Sequence, residues 1–398
     1  MAAPVEAAED HPVSAGPEAR PGVREFILGW RDRLLGSARF QRAAARFPLT
    51  RPLARRRART LFDISAGFVY SQILFACVRS RLLEALAEGP RSVTSIANAI
   101  ELPEAAALRL LRGAASLRLV QPTGDQYRLG DLGAVMLGNP SIAAMVNHHE
   151  RLYADLADPL ALLANPGETR LSAYWPYARS DDRDAINGQE VAAYSELMAA
   201  SQAMLCGDIL DAVSLKTTQH LLDVAGGEGV FLSAALARWP HLKGTVIDLP
   251  AVAERAAVYL AGDARAGDAV AERASVAPID MFADAWPSGA DIISFVRVLH
   301  DHDDDPALEL LKKARAAMPP GGRVMIAEPM AQTPGAEPVG DGYFGFYLLA
   351  MGSGRPRSAT ALSGMLHEAG FQRVRELKTA QPMLVRVLIA EIGEAGFN

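Results

Sequence analysis

Only two cysteines, Cys77 and Cys206, occur in 398 residues, and they lie too far apart for a paired metal or redox motif. Their scarcity excludes a disulfide-stapled fold and fits a reducing compartment. Long apolar runs are lacking as well: no uninterrupted stretch reaches the roughly 20 residues that span a bilayer. The N-terminus has no basic-then-apolar order of a secretory signal. A phosphate-binding G-x-x-x-x-G-K-[ST] loop is absent. In the glycine cluster that follows an apolar run, Leu232 stands where a dinucleotide site has its third glycine.

What is there instead is Leu221-Leu222-Asp223-Val224-Ala225-Gly226-Gly227-Glu228-Gly229. An apolar strand ends in an acid, turns through three glycines and enters a helical pattern at Phe231, Leu232, Ala235 and Leu236. Strand, glycine turn and helix start make a nucleotide cradle, because glycine lets the backbone approach a ligand closely. The next strand, Gly244 to Asp248, ends in a carboxylate placed to accept from ribose hydroxyls. A ligand-free glycine turn is the competing reading of that motif alone.

The composition, 50% hydrophobic and 22% charged, is that of a globular protein with a substantial core, long enough for more than one domain. Residues 1–22 lack periodicity and read as a disordered tail. Between Arg20 and Arg59 twelve arginines face only Glu25 and Asp32, a net of +10 in a chain of net −6. In this 23–59 lead, Phe26, Ile27, Trp30 and Leu34 share one helical stripe. A basic amphipathic segment suits an anionic membrane surface. A solvated helix docked on the body of the protein, or a nucleic-acid contact, would give the same pattern.

Residues 60–137 read as helix, short helix (Ser95–Ile100), helix (from Pro103 to about Arg118) and a small hairpin through Thr123-Gly124-Asp125. That order is a winged helix. Arg109, Arg112 and Arg118 are sparse on its second long helix, which favours packing and dimerisation over DNA reading. Residues 138–218 are helical, with Tyr153, Tyr174, Trp175, Tyr177 and Tyr194 as a possible roof over a hydrophobic substrate. His148-His149-Glu150 is read as ordinary helix, since adjacent positions point apart. No metal site is expected.

From 219 to 398 strand and helix alternate, which implies a parallel sheet covered on both faces. Asp280 and Met281 end one strand, an acid for an adenine amine and a flexible side chain for the ring face. The following strand ends in Arg297-Val298-Leu299-His300-Asp301, where ligands of open α/β sheets bind. A side chain titrating near neutrality there can take up and release a proton. Asp304 or Asp305 before Pro306 reads as a helix cap. Glu328, at the end of the next strand, could orient the imidazole.

Five motifs, Asp223-x-Ala225-Gly226-Gly227-x-Gly229, Asp248-Leu249-Pro250, Asp280-Met281-Phe282, Arg297-Val298-Leu299-His300-Asp301 and Gly322-x-x-x-x-x-Glu328, together resemble one family over about residues 60–390. It is the O-methyltransferases related to acetylserotonin and caffeate methyltransferases. The resemblance implies a Rossmann-like class I α/β sheet that binds S-adenosylmethionine, behind a winged-helix-like domain that makes a homodimer. It also implies His300 as general base, flanked by Glu328 or Asp301. Asp223, Ala225, Gly226, Gly227, Gly229, Asp248, Leu249, Asp280, Met281, Phe282 and Arg297 would hold the cofactor. His302 stands where the family usually has Trp, and Pro356 where plant members have a second Glu. The basic lead and Met351-Gly352-Ser353-Gly354-Arg355-Pro356-Arg357-Ser358 resemble a subgroup that methylates the 1-hydroxyl of acyclic carotenoids. That implies a cytoplasmic enzyme working at a membrane face. A phenol or polyketide methyltransferase, or a winged-helix DNA regulator, are the alternatives.

Overall fold

Leu221, Leu222 and Val224 are all fully buried because their strand has helices on both faces, the environment of a parallel sheet. The computed structural model describes residues 23–167, 169–173, 188–262 and 268–393. The expected tail 1–22 and the aromatics Tyr174, Trp175 and Tyr177 lie outside them, as does the side chain of Tyr194. Two units are distinguished, Met1–Ile73 and Leu74–Asn398.

In the second unit, strands β1 (Arg91–Ser92), β2 (Val120–Thr123) and β3 (Gln126–Leu129) form a small antiparallel sheet in the order β1-β3-β2. Helices Val93–Ala99 and Glu104–Ser116 accompany it, and bury Ile96, Ala97, Ala107, Leu111 and Ala114. Short helix, long helix and hairpin therefore stand where the periodicity placed them.

The large sheet uses β4 (His220–Val224), β5 (Lys243–Asp248), β6 (Ala274–Pro278), β7 (Ile292–Val296), β8 (Arg323–Glu328), β9 (Gln372–Leu377) and β10 (Arg386–Glu391). Its order is β6-β5-β4-β7-β8-β10-β9; the first five strands are mutually parallel, and β10 runs antiparallel to both β8 and β9. Helices Gly188–Ala212, Val230–Arg238 and Pro250–Gly262 contribute Ile209, Phe231, Leu236 and Leu260 to one core. Helices Asp304–Ala317 and Ala359–Glu368 contribute Leu310, Leu311, Leu362 and Leu366 to the core on the opposite face. Strand order reverses between β4 and β7, so a crevice opens beyond their carboxyl ends.

The first unit holds helices Val23–Gly36 and Ala38–Arg46, neither of which has a buried residue. Phe26, Ile27 and Trp30 are each more than half exposed. The helix Arg51–Arg79 buries only Cys77 and Val78. It contains an 18-residue window of mean hydropathy 1.6, so by length and composition alone it could cross a membrane. Asp63 and scattered polar residues hid this from a search for uninterrupted apolar runs.

Candidate active site

The turn after β4 is built by backbone geometry. Ala225, Gly227 and Gly229 take positive φ (49°, 59° and 81°), and Gly229 starts helix Val230–Arg238 in the left-handed region. A left-handed alanine is a strained choice, and it faces the cleft. A side chain on Gly226 would put its Cβ 2.6 Å from Asp223 Oδ2. Asp223 is fully buried and accepts from Ser294 Oγ at 2.6 Å; burial pushes its carboxyl up to about 7.

Gly227 N–H and Leu249 N–H donate to the two oxygens of Asp248, at 2.9 and 2.8 Å. Burial nevertheless raises this carboxyl to about 6, against the pull of both donors. Ala225, Gly227, Asp248 and Leu249 line one wall of the cleft. Asp280, Met281 and Phe282 line another, where Asp280 Oδ1 accepts the Phe282 N–H at 2.8 Å. Arg297 and Asp301 close the third side.

Asp223, Gly226 and Gly229 do not line the cleft. Asp223 and Gly226 back the turn, and Gly229 packs against Leu260, so these three shape the cradle from behind. Sequence reading also missed Met198, Ser201 and Glu228. Arg297 donates to Ser201 Oγ at 2.6 Å and reaches Met198 Sδ at 3.8 Å, while its buried Nε has no partner. Only the fold brings helix Gly188–Ala212 to that strand end. Glu228 sits inside the motif and lines the cleft, paired with Arg255.

His300 lies in a single helical turn, Leu299–Asp301, directly after β7, and is buried. Its ring and backbone have different partners. Nε2 stands 3.2 Å from Asp301 Oδ1, whereas the backbone N–H donates to Glu328 Oε2 at 3.1 Å. Of the two carboxylates expected to flank the histidine, Asp301 meets its ring and Glu328 its main chain. Glu328 is the last residue of β8, the strand paired beside β7, and its carboxylate meets the backbone of the turn that leaves β7. Nδ1 is buried and has no hydrogen-bond partner.

Burial lowers the His300 pKa well below the usual histidine range, and Arg297, Arg357 and His302 push it the same way. Burial raises the Asp301 carboxyl well above the usual range and that of Glu328 to about 7. A small pocket joins His300 to Arg297, Asp301, Phe344, Tyr347 and Leu348. The Phe344 ring lies 5.9 Å from the imidazole. Behind it, Tyr347 and Tyr343 hydroxyls meet His148 and His149 Nε2 at 2.9 and 2.8 Å. That explains the His-His pair as partners of an aromatic wall. Among the described residues no group fits a metal ion.

The acids after His300 do not cap a helix with their side chains, as had been expected of Asp304 and Asp305. Asp303 occupies the cap position, but its carboxylate accepts Gly354 N–H at 3.1 Å. Asp304 is taken by Arg355 and Arg357, which hold its carboxyl down at about 2.

Residues 174–372 match the model of an O-methyltransferase domain, and residues 62–139 that of an O-methyltransferase dimerisation domain. The demethylspheroidene O-methyltransferase of Cereibacter sphaeroides is 41% identical over 94% of this chain and 97% of its own length. That of Rhodobacter capsulatus is 37% identical over 96% and 94%. The chain belongs to the O-methyltransferases. Two solved structures are similar in fold. Human N-acetylserotonin methyltransferase in complex with SAM superposes with TM-score 0.71 at 24% identity, covering 84% of this chain and 97% of that one. The mitomycin 7-O-methyltransferase MmcR gives 0.68 at 25%, over 85% and 99%.

The dimerisation match accounts for one puzzle of the fold. Phe62, Ile64, Phe68 and Val69 are exposed in this protomer and fall inside that match, as an interface between two copies requires. The dimerisation domain supports a homodimer.

Proposed function

We propose that this chain methylates a hydroxyl of an acyclic carotenoid, with His300 taking the proton. The observation that carries the reading is a buried imidazole, with one nitrogen unpartnered, where the cleft meets an aromatic pocket. Demethylspheroidene O-methyltransferases similar over nearly the whole chain support the substrate class.

The residues present fit S-adenosylmethionine. Asp248 would take the ribose hydroxyls, Asp280 the adenine amine, and Met281 with Phe282 the ring faces. The buried, unpartnered Nε of Arg297 suits a carboxylate. When bound, S-adenosylmethionine supplies an electrophilic methyl group on its sulfonium.

His300 does the proton work. With Nε2 on Asp301, Nδ1 is the nitrogen left to accept, and burial keeps the ring neutral at neutral pH. A tertiary alcohol is far too weak an acid to be deprotonated in advance. The imidazole therefore takes the proton as the C–O bond forms. The rest of the acceleration comes from holding the acceptor in line, with water kept out by Phe344 and Tyr347.

The 23–59 lead is the proposed contact with an anionic membrane surface, where a polyene dissolves. Its support is the exposed Phe26, Ile27 and Trp30 set among arginines. The acetylserotonin enzyme, covered almost completely, still leaves about a sixth of this chain unmatched. The two demethylspheroidene enzymes leave about a twentieth unmatched.

The test is mass spectrometry of products from S-adenosylmethionine with a panel of hydroxylated acyclic carotenoids and phenols. A methyl added to the carotenoid is the expected result. Turnover of phenols alone would replace the substrate class.

A further inference from the structure

Arg357 is the largest fully buried side chain among the described residues, with 1% of its surface exposed. A buried guanidinium is costly unless its donors are met. Here Nη1 donates to the Leu299 carbonyl at 2.8 Å, Nη2 to the His302 carbonyl at 2.7 Å, and Nε to Asp304 Oδ1 at 2.8 Å. Leu299 and His302 bracket His300 and Asp301. A planar fork of donors suits such a fixed set of acceptors better than an ammonium does.

The rest of the stretch wraps the same turn. Ser353 Oγ donates to the Asp301 carbonyl at 2.9 Å. Gly354 (φ 79°) comes so close that a Cβ would stand 2.2 Å from the His300 carbonyl oxygen. Beyond Arg357, Ser358 caps helix Ala359–Glu368 by accepting the Ala361 N–H at 3.2 Å, and Ala331 N–H donates to the Arg357 carbonyl at 3.0 Å. The arginine is thus anchored from its own backbone into the sheet edge.

We propose that Arg357 is a positioning residue for the reaction. Its guanidinium ties the two carbonyls that flank the His300–Asp301 turn to the Asp304 carboxylate, and so fixes where the imidazole stands in the cleft. Its charge also faces His300, together with Arg297, Asp301, His302, Glu328 and, across the pocket, Tyr347. The inference rests on reading His300 as the base.

Four full-length proteins test it: wild type, Arg357→Met, Arg357→Lys and His300→Gln. Each is measured for turnover of a hydroxylated acyclic carotenoid in detergent, for the pH profile of kcat, and for S-adenosylhomocysteine affinity by calorimetry. Arg357→Met should lower kcat on the order of 10–100-fold, the scale of a displaced catalytic group. Its S-adenosylhomocysteine affinity should stay within about twofold of wild type, separating positioning from binding. The acid limb of its pH profile should move to higher pH, because a cation that disfavours the imidazolium is gone. Arg357→Lys should lose turnover with no shift of the limb, since the charge stays and the fork does not.

Wild-type kcat in Arg357→Met, or loss of kcat and affinity in step, would overturn the inference. If Arg357→Met does not fold, Arg357→Lys decides: reduced kcat with intact affinity supports it, and unchanged kcat sinks it. A His300→Gln protein that keeps turnover removes the base and this inference together. An inactive His300→Gln beside a normal Arg357→Met removes only the latter.

Discussion

Asp248 and His300 are both buried titratable groups, yet burial acts on them with opposite consequences for pH. Asp248 is useful as an acceptor only when ionised, and burial has raised its carboxyl to about 6. Affinity for S-adenosylhomocysteine should therefore fall as pH drops through about 6, because protonation removes the charged acceptor. Asp248→Ala should cost affinity about tenfold to a hundredfold at neutral pH, the ~1.5–3 kcal/mol of a hydrogen bond to a charged group. Calorimetry across pH 5–8 checks both, and flat affinity in the wild type would remove Asp248 from the ribose site. His300 works as a base only when neutral, and its pKa lies well below 6.5. Turnover should then hold constant from neutral pH down past 6.5 and fall only in more acid solution. His300→Gln should lower turnover by about 10²–10⁴, the usual contribution of a positioned base. An acid limb at or above 6.5 would contradict the buried, neutral imidazole.

At the scale of an element, the turn between β4 and helix Val230–Arg238 was legible because its requirements are local. Three glycines in four residues mark a backbone that must bend sharply. What was not legible was which glycine does which job. Gly227 offers its N–H to Asp248, while Gly226 leaves room for Asp223. Gly226→Ala should thus displace the buried Asp223 and distort the cradle without touching the ligand. The expected outcome is a folded protein with S-adenosylhomocysteine affinity reduced by about tenfold or more, the scale of one lost charged hydrogen bond. A thermal melt and a titration on the same sample check it, and unchanged affinity would show that the turn tolerates the methyl. The aromatic wall was less legible still. Tyr343, Phe344 and Tyr347 sit on a helical segment that meets His148 and His149 from nearly 200 positions away.

For the whole molecule, two exposed apolar surfaces need different explanations. The face with Phe62, Ile64 and Phe68 lies within the dimerisation match, which supports a homodimer. The lead before it lies outside that match and combines Phe26, Ile27 and Trp30 with arginines. Each basic residue near an anionic surface is worth about 1 kcal/mol, and salt screens the attraction. The full-length protein should therefore bind phosphatidylserine-containing liposomes, release partly at high salt, and lose binding when residues 1–59 are removed. The truncated form should still methylate a detergent-solubilised carotenoid, since the proposed site residues all follow residue 190. Equal binding by both forms, or a truncated form that no longer dimerises, would reassign the lead from membrane to protein.

The sequence by itself determined the alternation of strand and helix, the glycine turn after β4 and the place of His300, because each is written in neighbouring residues, whereas the antiparallel course of β10 was not. Strand period, glycine turns and strand-end acids are local chemistry, and a parallel sheet brings its strand ends to one edge without further instruction. Tertiary structure alone decided how the site is held. Arg357 meets the His300 turn across more than fifty residues of chain, Glu328 takes the histidine's backbone while Asp301 takes its ring, and Arg297 finds Ser201 on a helix from before the sheet. No spacing rule encodes such contacts, since a buried polar group takes whichever partner the packed fold leaves within about 3 Å.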